Sequence, residues 1–301
     1  MANEQEAPKL DEYGFELPVE GTKVKHMIGV VSGKGGVGKT LVTSLMACAA
    51  QRLGNTVGIF DGDITGPSIP KSFGLRGPVR ANPMGILPVQ TDSGIQVMST
   101  NFLLPNEDDP VVWRGPVIAG VIQQFWNEVV WGELDYMFID MPPGTGDVPL
   151  TVFQTLPLDG IVIVTSPQEL VSMIVRKAVK MANDMGVPVF GIVENYSYFE
   201  CPDCGKQHKI FGDSHVDEVA DKYGIQLVAK LPIDPSVAEA VDAGKIETLD
   251  SPVMEQFVQA IGEMADSLPH RKSPFLIAQE RQAAELDARL DEAGIPRVDQ
   301  Q

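Results

Sequence analysis

The stretch VVSGKGGVGKT, residues 30–40, places Gly33, Gly38, Lys39 and Thr40 in the spacing G-x-x-x-x-G-K-[ST]. That spacing serves the holding of phosphate groups. Glycines let the backbone turn, so that N–H groups along Gly33, Gly35, Gly36, Val37, Gly38, Lys39, Thr40 and Leu41 converge on phosphate oxygens. A helix starting there adds its partial positive end. Lys39 is placed to reach the β- and γ-phosphates of a nucleotide, and the Thr40 hydroxyl to ligate Mg²⁺. A chance glycine-rich turn would need neither the apolar run before the loop nor the helical pattern after it.

Acids stand at the ends of two further apolar runs. In YMFIDMPPGTGD (136–147) the run ends in Asp140, the arrangement that binds Mg²⁺, usually through water. Gly144 behind it can offer its N–H to a γ-phosphate. Asp147 suits a helix cap as well as a catalytic role. In DGDITGPSIP (61–70), Asp61 fits either a water-mediated Mg²⁺ contact or the cap of a short helix starting near Ser68. The ends of parallel strands are where ligands bind in open sheets. Asn195, in VENYS (193–197), can offer its amide to adenine, although Asn after a strand is also a common turn residue.

A second chemistry is carried by FECPDCGKQH (199–208), where Cys201 and Cys204 form a C-x-x-C pair. A tetrahedral metal site takes four ligands, and this pair supplies two. The chain has three cysteines and no second C-x-x-C. His208 either joins a zinc site or is a plain surface histidine. Cys48, within LMACAA, reads as core packing. Tyr196, Tyr198 and Phe199 are expected beneath the cysteine loop, and Trp113, Trp126 and Trp131 in a core or an interface.

The elements that must position these residues alternate. Apolar runs at 26–32, 56–60, 136–140, 160–165, 188–195 and 226–232 read as strands, with a strand pair at 85–90 and 95–99. Helical spacing appears at 38–53, 116–131, 169–185, 214–223, 235–243 and 252–267. Strands alternating with helices predict an α/β fold, a doubly wound and mostly parallel sheet flanked by helices. Residues 1–24 read as a flexible leader, 25–268 as the nucleotide-binding domain and 269–301 as a helical tail. The tail helix, 273–294, has a thin apolar stripe and more acids than bases, so it reads as a packing or partner helix rather than a membrane anchor.

Bulk properties narrow the partners. The 301 residues suit one large α/β domain or two small ones, and the formal charge is −18. That charge repels phosphate backbones and anionic lipid, so neither nucleic acid nor membrane is expected as a partner. Halophilic adaptation would give the same acidity. The polar, acidic N-terminus is no signal peptide, and no run approaches the roughly 20 apolar residues that span a bilayer. The expectation is a cytoplasmic, reducing setting, where a C-x-x-C binds metal or is redox-active.

Together GKGGVGKT, DGDITGPSIP, DMPPGTGD and VENYSYFECPDCGK resemble the Mrp/ApbC family of iron–sulfur cluster carrier ATPases, relatives of MinD with a deviant Walker A loop. The resemblance covers about residues 24–268. It implies a homodimeric, Mg²⁺-dependent ATP hydrolase that binds ATP and carries a [4Fe–4S] cluster between a cluster scaffold and apo iron–sulfur proteins. It implies that Lys34 reaches across the dimer to the partner's nucleotide, that Asp63 orients the attacking water in switch I, and that Cys201 and Cys204 bind the cluster. Two cysteines from each of two chains make the four thiolates a cluster needs, and a two-fold axis supplies the second pair. Some relatives carry a cysteine-rich N-terminal motif, which this chain lacks. The alternatives are a MinD- or ParA-like positioning switch, an ATPase dimer clamped by structural zinc at the C-x-x-C, and a reductase of the nitrogenase-iron-protein type.

Overall fold

The computed structural model describes residues 9–63, 66, 68–103, 115–144, 146–167 and 171–292. In chain order the elements are β1 (Lys23–Ser32), α1 (Lys39–Arg52), β2 (Val57–Asp61), α2 (Ile69–Ser72), β3 (Arg80–Asn82), β4 (Gly85–Leu87), β5 (Val89–Gln90), β6 (Gln96–Met98), α3 (Gly115–Asn127), β7 (Glu133–Asp140), α4 (Asp147–Thr155), β8 (Gly160–Thr165), α5 (Val171–Asp184), β9 (Val189–Glu200), β10 (Gln207–His208), α6 (Val216–Tyr223), β11 (Leu227–Pro232), α7 (Pro235–Asp242), α8 (Pro252–Ser267) and α9 (Pro274–Glu292).

The main sheet runs β9-β8-β1-β7-β2-β6-β5, with β10 and β11 both paired to β9. The pairs β9–β8, β8–β1, β1–β7, β7–β2, β2–β6 and β11–β9 are parallel, and β5–β6 and β9–β10 are antiparallel. Central strands covered on both faces must be apolar throughout, and β8 (GIVIVT) is buried at every position. Alternate β1 residues feed two cores. Met27 and Val31 face one built with Ile122 and Phe125 of α3, Phe153 of α4 and Val175 of α5. Ile28 and Val30 face the other, built with Met46 and Cys48 of α1 and Phe257 and Ile261 of α8. Trp126 and Trp131 belong to the first core, whereas Trp113 lies outside the described residues.

The structure differs from the sequence-based expectations in three places. Strand β9 runs five residues further than predicted, to Glu200, because its extension pairs with β10 and the end of β11. The predicted strand pair at 85–90 and 95–99 divides: β5 joins β6, while β4 pairs with β3 in a separate hairpin. The leader was expected to be flexible, yet residues 9–24 are seated on the body. Phe15 is buried, the Trp126 indole N–H donates to the Glu16 carbonyl at 2.8 Å, and β1 begins at Lys23. Leader and tail share an anchor. The Ser273 N–H donates to the Tyr13 carbonyl at 2.7 Å, and the Arg271 guanidinium lies 4.8 Å from the Phe15 ring centre. Arg271 also donates to the carbonyls of Phe153, Leu156 and Met185. Burial pulls its pKa down to about 10.

Candidate nucleotide site and cysteine hairpin

Strands β1, β7 and β2 end side by side and deliver the phosphate loop, Asp140 and Asp61 to one edge of the sheet. Val30 pairs with Asp140, and Asp140 with Asp61, so the two carboxylates lie level. The loop leads into α1, whose N-terminus has no side-chain cap, which leaves its first N–H groups for a ligand. Gly38 sits at φ +84°, and a Cβ there would lie 2.2 Å from Asn195 Nδ2. Gly33 is demanded by space, because its Cβ would lie 2.4 Å from Ile174 Cγ2. Gly35 and Gly36 meet nothing and leave the top of the loop open.

Asp140 is fully buried and gathers the site's polar groups. Lys39 Nζ donates to its Oδ1 at 2.6 Å and also lies 3.6 Å from Asp63 Oδ2. Thr40 Oγ1 donates to Asp140 Oδ2 at 2.7 Å. Thr43 Oγ1 shares its proton between Asp140 Oδ1 at 2.9 Å and the Lys39 carbonyl at 3.0 Å. Asp61 is also fully buried. Ser99 Oγ donates to its Oδ2 at 2.9 Å, while Oδ1 has no partner. Burial first, and the Asp140 charge second, hold the Asp61 carboxyl well above the usual carboxylate range. Two carboxylates thus face one ammonium group, and beside them one buried Asp61 oxygen is unsatisfied. This donor set is all hard oxygen, which fits Mg²⁺ carried in with a nucleotide.

Other predicted residues fall around this cluster. Lys34 is half-buried on the loop, and its carbonyl accepts from Ser32 Oγ at 3.0 Å. Gly144, expected to offer its N–H to a phosphate, instead donates it to the Ser32 carbonyl at 2.8 Å, so that bond must open first. Asp147 opens α4. Asn195, expected to read adenine, is engaged with the loop itself: Nδ2 donates to the Val37 carbonyl at 3.1 Å, and Oδ1 accepts from the Tyr196 N–H at 3.0 Å. Asn195 and Tyr196 also wall a cavity of about 270 Å³ with Leu41, Leu231 and Pro232, beside the loop where a base can sit. Sequence reasoning missed Thr43 and Ser99. Thr43 carried a signal, standing one helical turn after Lys39, whereas Ser99 comes from beyond β6 and had no local one.

The cysteines lie at the far end of β9. Glu200 pairs with Gln207 and Phe199 with His208. Within the turn, the Cys201 N–H donates to the Lys206 carbonyl at 3.0 Å and the Gly205 N–H to the Cys201 carbonyl at 2.8 Å. Cys201 is half-buried and Cys204 exposed. The N–H groups of Asp203 and Cys204, followed by the Cys204 thiol, pull the Cys201 pKa down and favour the thiolate. Among the described residues no group of three His, Cys, Asp or Glu side chains is placed to hold a metal, so His208 does not complete the pair. Tyr196, Tyr198 and Phe199 are half-buried along the strand below. Cys48 lies in the core, where burial pushes its thiol up to about 12.

The profile of the NUBPL iron-transfer P-loop NTPases matches residues 23–268. The chain belongs to this family. An iron-sulfur cluster carrier protein of Methanocaldococcus jannaschii is 43% identical over 254 residues, 83% of this chain and 88% of that protein. A nucleotide-binding protein of Archaeoglobus fulgidus, solved with ADP, is 43% identical and superposes with a TM-score of 0.72 over 83% of this chain and 94% of its own. The septum-site protein MinD of Pyrococcus horikoshii, solved with Mg-ADP, has a TM-score of 0.56 at 21% identity over 81% of this chain and 97% of its own, a likeness of fold. The chain is therefore a P-loop NTPase with a mostly parallel sheet flanked by helices. In this iron-transfer NTPase the phosphate loop is built within one chain, and the cysteine pair stands apart from it on the turn between β9 and β10.

Proposed function

We propose that the protein is an ATP-hydrolysing carrier that holds a [4Fe–4S] cluster between two copies of itself and passes it to apo-proteins. The carrying observation is the hairpin: a solvent-accessible cysteine pair, with Cys201 favoured as thiolate, that supplies two of four ligands at the end of a strand that touches the phosphate loop. A second copy about a two-fold axis completes the ligand set with no new residue type. Ile210 and Phe211, exposed on the turn after β10, give the same face an apolar contact. The A. fulgidus and M. jannaschii relatives support the nucleotide and the cargo.

The ATPase unit spans 25–268, with the leader and tail as flanking segments. The N–H groups of the loop, Gly33 to Leu41, bind the phosphates, and Lys39 moves from Asp140 onto the β- and γ-oxygens. Thr40 and Asp140 would hold Mg²⁺, which neutralises phosphate charge when bound. Asp63 lies within 3.6 Å of Lys39 and orients the attacking water. Lys34 reaches the partner's nucleotide, and Asn195 borders the base. Among the described residues no helix is long and apolar enough to cross a membrane. The charge of −18 disfavours nucleic acid and anionic membrane, so we place the carrier in the cytoplasm with apo iron–sulfur proteins and a scaffold as its partners.

The test is transfer. The chain, reconstituted anaerobically with iron and sulfide, should activate an apo iron–sulfur enzyme, and Cys201→Ala should not. A Cys201→Ala chain that activates the enzyme at the normal rate would refute the proposal.

A further inference from the structure

Strand β9 changes character at Asn195–Ser197. Below that point it is a central strand, paired with β8 as far as Thr165–Glu194 and with β11 as far as Lys230–Glu194. The next partner on β11 is Pro232, opposite Tyr198. Two steps on β11, 230 to 232, therefore span four on β9, 194 to 198. The surplus is a bulge, a device that re-aims a strand. Beyond it β9 leaves β8, takes β10 as its partner and reaches the cysteines.

The bulge is fastened to the nucleotide loop. Asn195 Nδ2 donates to the Val37 carbonyl and fills the space a Cβ on Gly38 would need. Its Oδ1 holds the N–H of Tyr196, which has φ +61° and is the sole non-glycine residue with positive φ among the described residues. Ser197 Oγ donates to the buried Glu194. On the far side the Ile233 N–H donates to the Tyr198 carbonyl at 2.6 Å. A bulky residue stays in that conformation only where its surroundings impose it, and such positions gather at switches. Beyond the bulge β9 continues from Tyr198 to Glu200, and Cys201 follows directly.

We propose that the bulge Asn195–Ser197 is the joint through which the phosphate loop sets the exposure of Cys201 and Cys204, with Asn195 and Tyr196 as its positioning residues. Phosphates entering the loop move the Val37 carbonyl, Asn195 follows, and the backbone at Tyr196 redirects the hairpin. The joint rests on the carrier reading only for the identity of the cargo.

The test uses the apo full-length chain and iodoacetamide at one fixed pH, with and without Mg-ATP, each cysteine being followed by mass spectrometry. Buried Cys48 is the internal control. ATP should change the alkylation rates of Cys201 and Cys204 by about fivefold or more, the low end of ordinary coupling between sites. Tyr196→Asn, at an Mg-ATP concentration shown by calorimetry to saturate it, should keep that response, since Asn tolerates positive φ. Tyr196→Val also loses the ring but is β-branched, and it should lose the response. Wild-type rates indifferent to ATP overturn the joint, as does a natively stable Tyr196→Val chain that responds normally. Should Tyr196→Val fail to fold, Tyr196→Asn still decides: a response lost while calorimetry shows ATP bound assigns the effect to the ring and overturns the joint. Iron and sulfide take no part in this readout, so failure of the carrier reading leaves it standing, and failure of the joint leaves cluster binding untouched.

Discussion

Lys39, Thr40, Thr43 and Asp140 meet in a buried cluster whose hydrogen bonds all close within one chain. Cys201 and Cys204 sit at the tip of a hairpin turn held by two backbone bonds, and any tetrahedral metal they bound would need two further ligands. The first arrangement forms within one chain and needs no partner to take shape. On the proposed function, the second would bind cargo only with a second copy and release it when that contact shifts. The same strand, β9, touches both.

The sharpest way to break this contrast is at the cysteines. Cys201→Ala or Cys204→Ala should lose all bound iron and sulfide, while calorimetry shows nucleotide affinity within about twofold of wild type, since each change only trims a side chain far from the phosphate loop. Lys39→Ala should do the reverse. Steady-state assays should show kcat down by about 10²–10³-fold, as for loss of one charge-stabilising donor, with reconstituted iron unchanged.

A glycine pair sharpens the contrast further. Gly38→Ala must fit a Cβ against Asn195 at φ +84°, and nucleotide Kd should rise about tenfold, about 1.4 kcal/mol. Gly205, at φ +67° in the cysteine turn, meets nothing within 4 Å. Gly205→Ala should cost only the backbone strain, about 1 kcal/mol or a few degrees of melting temperature, with nucleotide Kd unchanged.

The smallest effect is expected at Asp61. Its folded pKa is raised above the ordinary 3.8, so the folded chain keeps this proton where the unfolded chain has released it. Its ionisation therefore opposes folding increasingly as pH rises from 3.8 through the folded value. Asp61→Asn should raise the apo melting temperature at neutral pH by about 2–4 °C, equivalent to about 1 kcal/mol in a chain of this size. Melting scans against pH should show that gain vanishing in acid.

Much of the nucleotide site was legible because its signals are local. The glycine spacing, the lysine and the apolar run ending in Asp140 each lie within a dozen residues. Contacts between distant segments were not legible. Nothing near Ser99 announces Asp61, and nothing in the leader announces that Phe15 packs beneath Arg271. The strand at 188–195 was recognised, but its extension to Glu200 depends on β10 and β11, which come later in the chain. The amide of Asn195 turned out to hold the loop, a role that depends on how β9 bulges and that no spacing reveals.

The central claim is that two copies complete one cargo site. The most direct measurement is to reconstitute the full chain anaerobically with iron and sulfide, separate it by size, and count iron, sulfide and zinc in each species. About four irons and four sulfides should elute with a dimer, with broad sulfur-to-iron charge-transfer absorption that Cys201→Ala abolishes. One tightly held zinc per dimer without that absorption, or iron and sulfide bound to a monomer, would contradict the account.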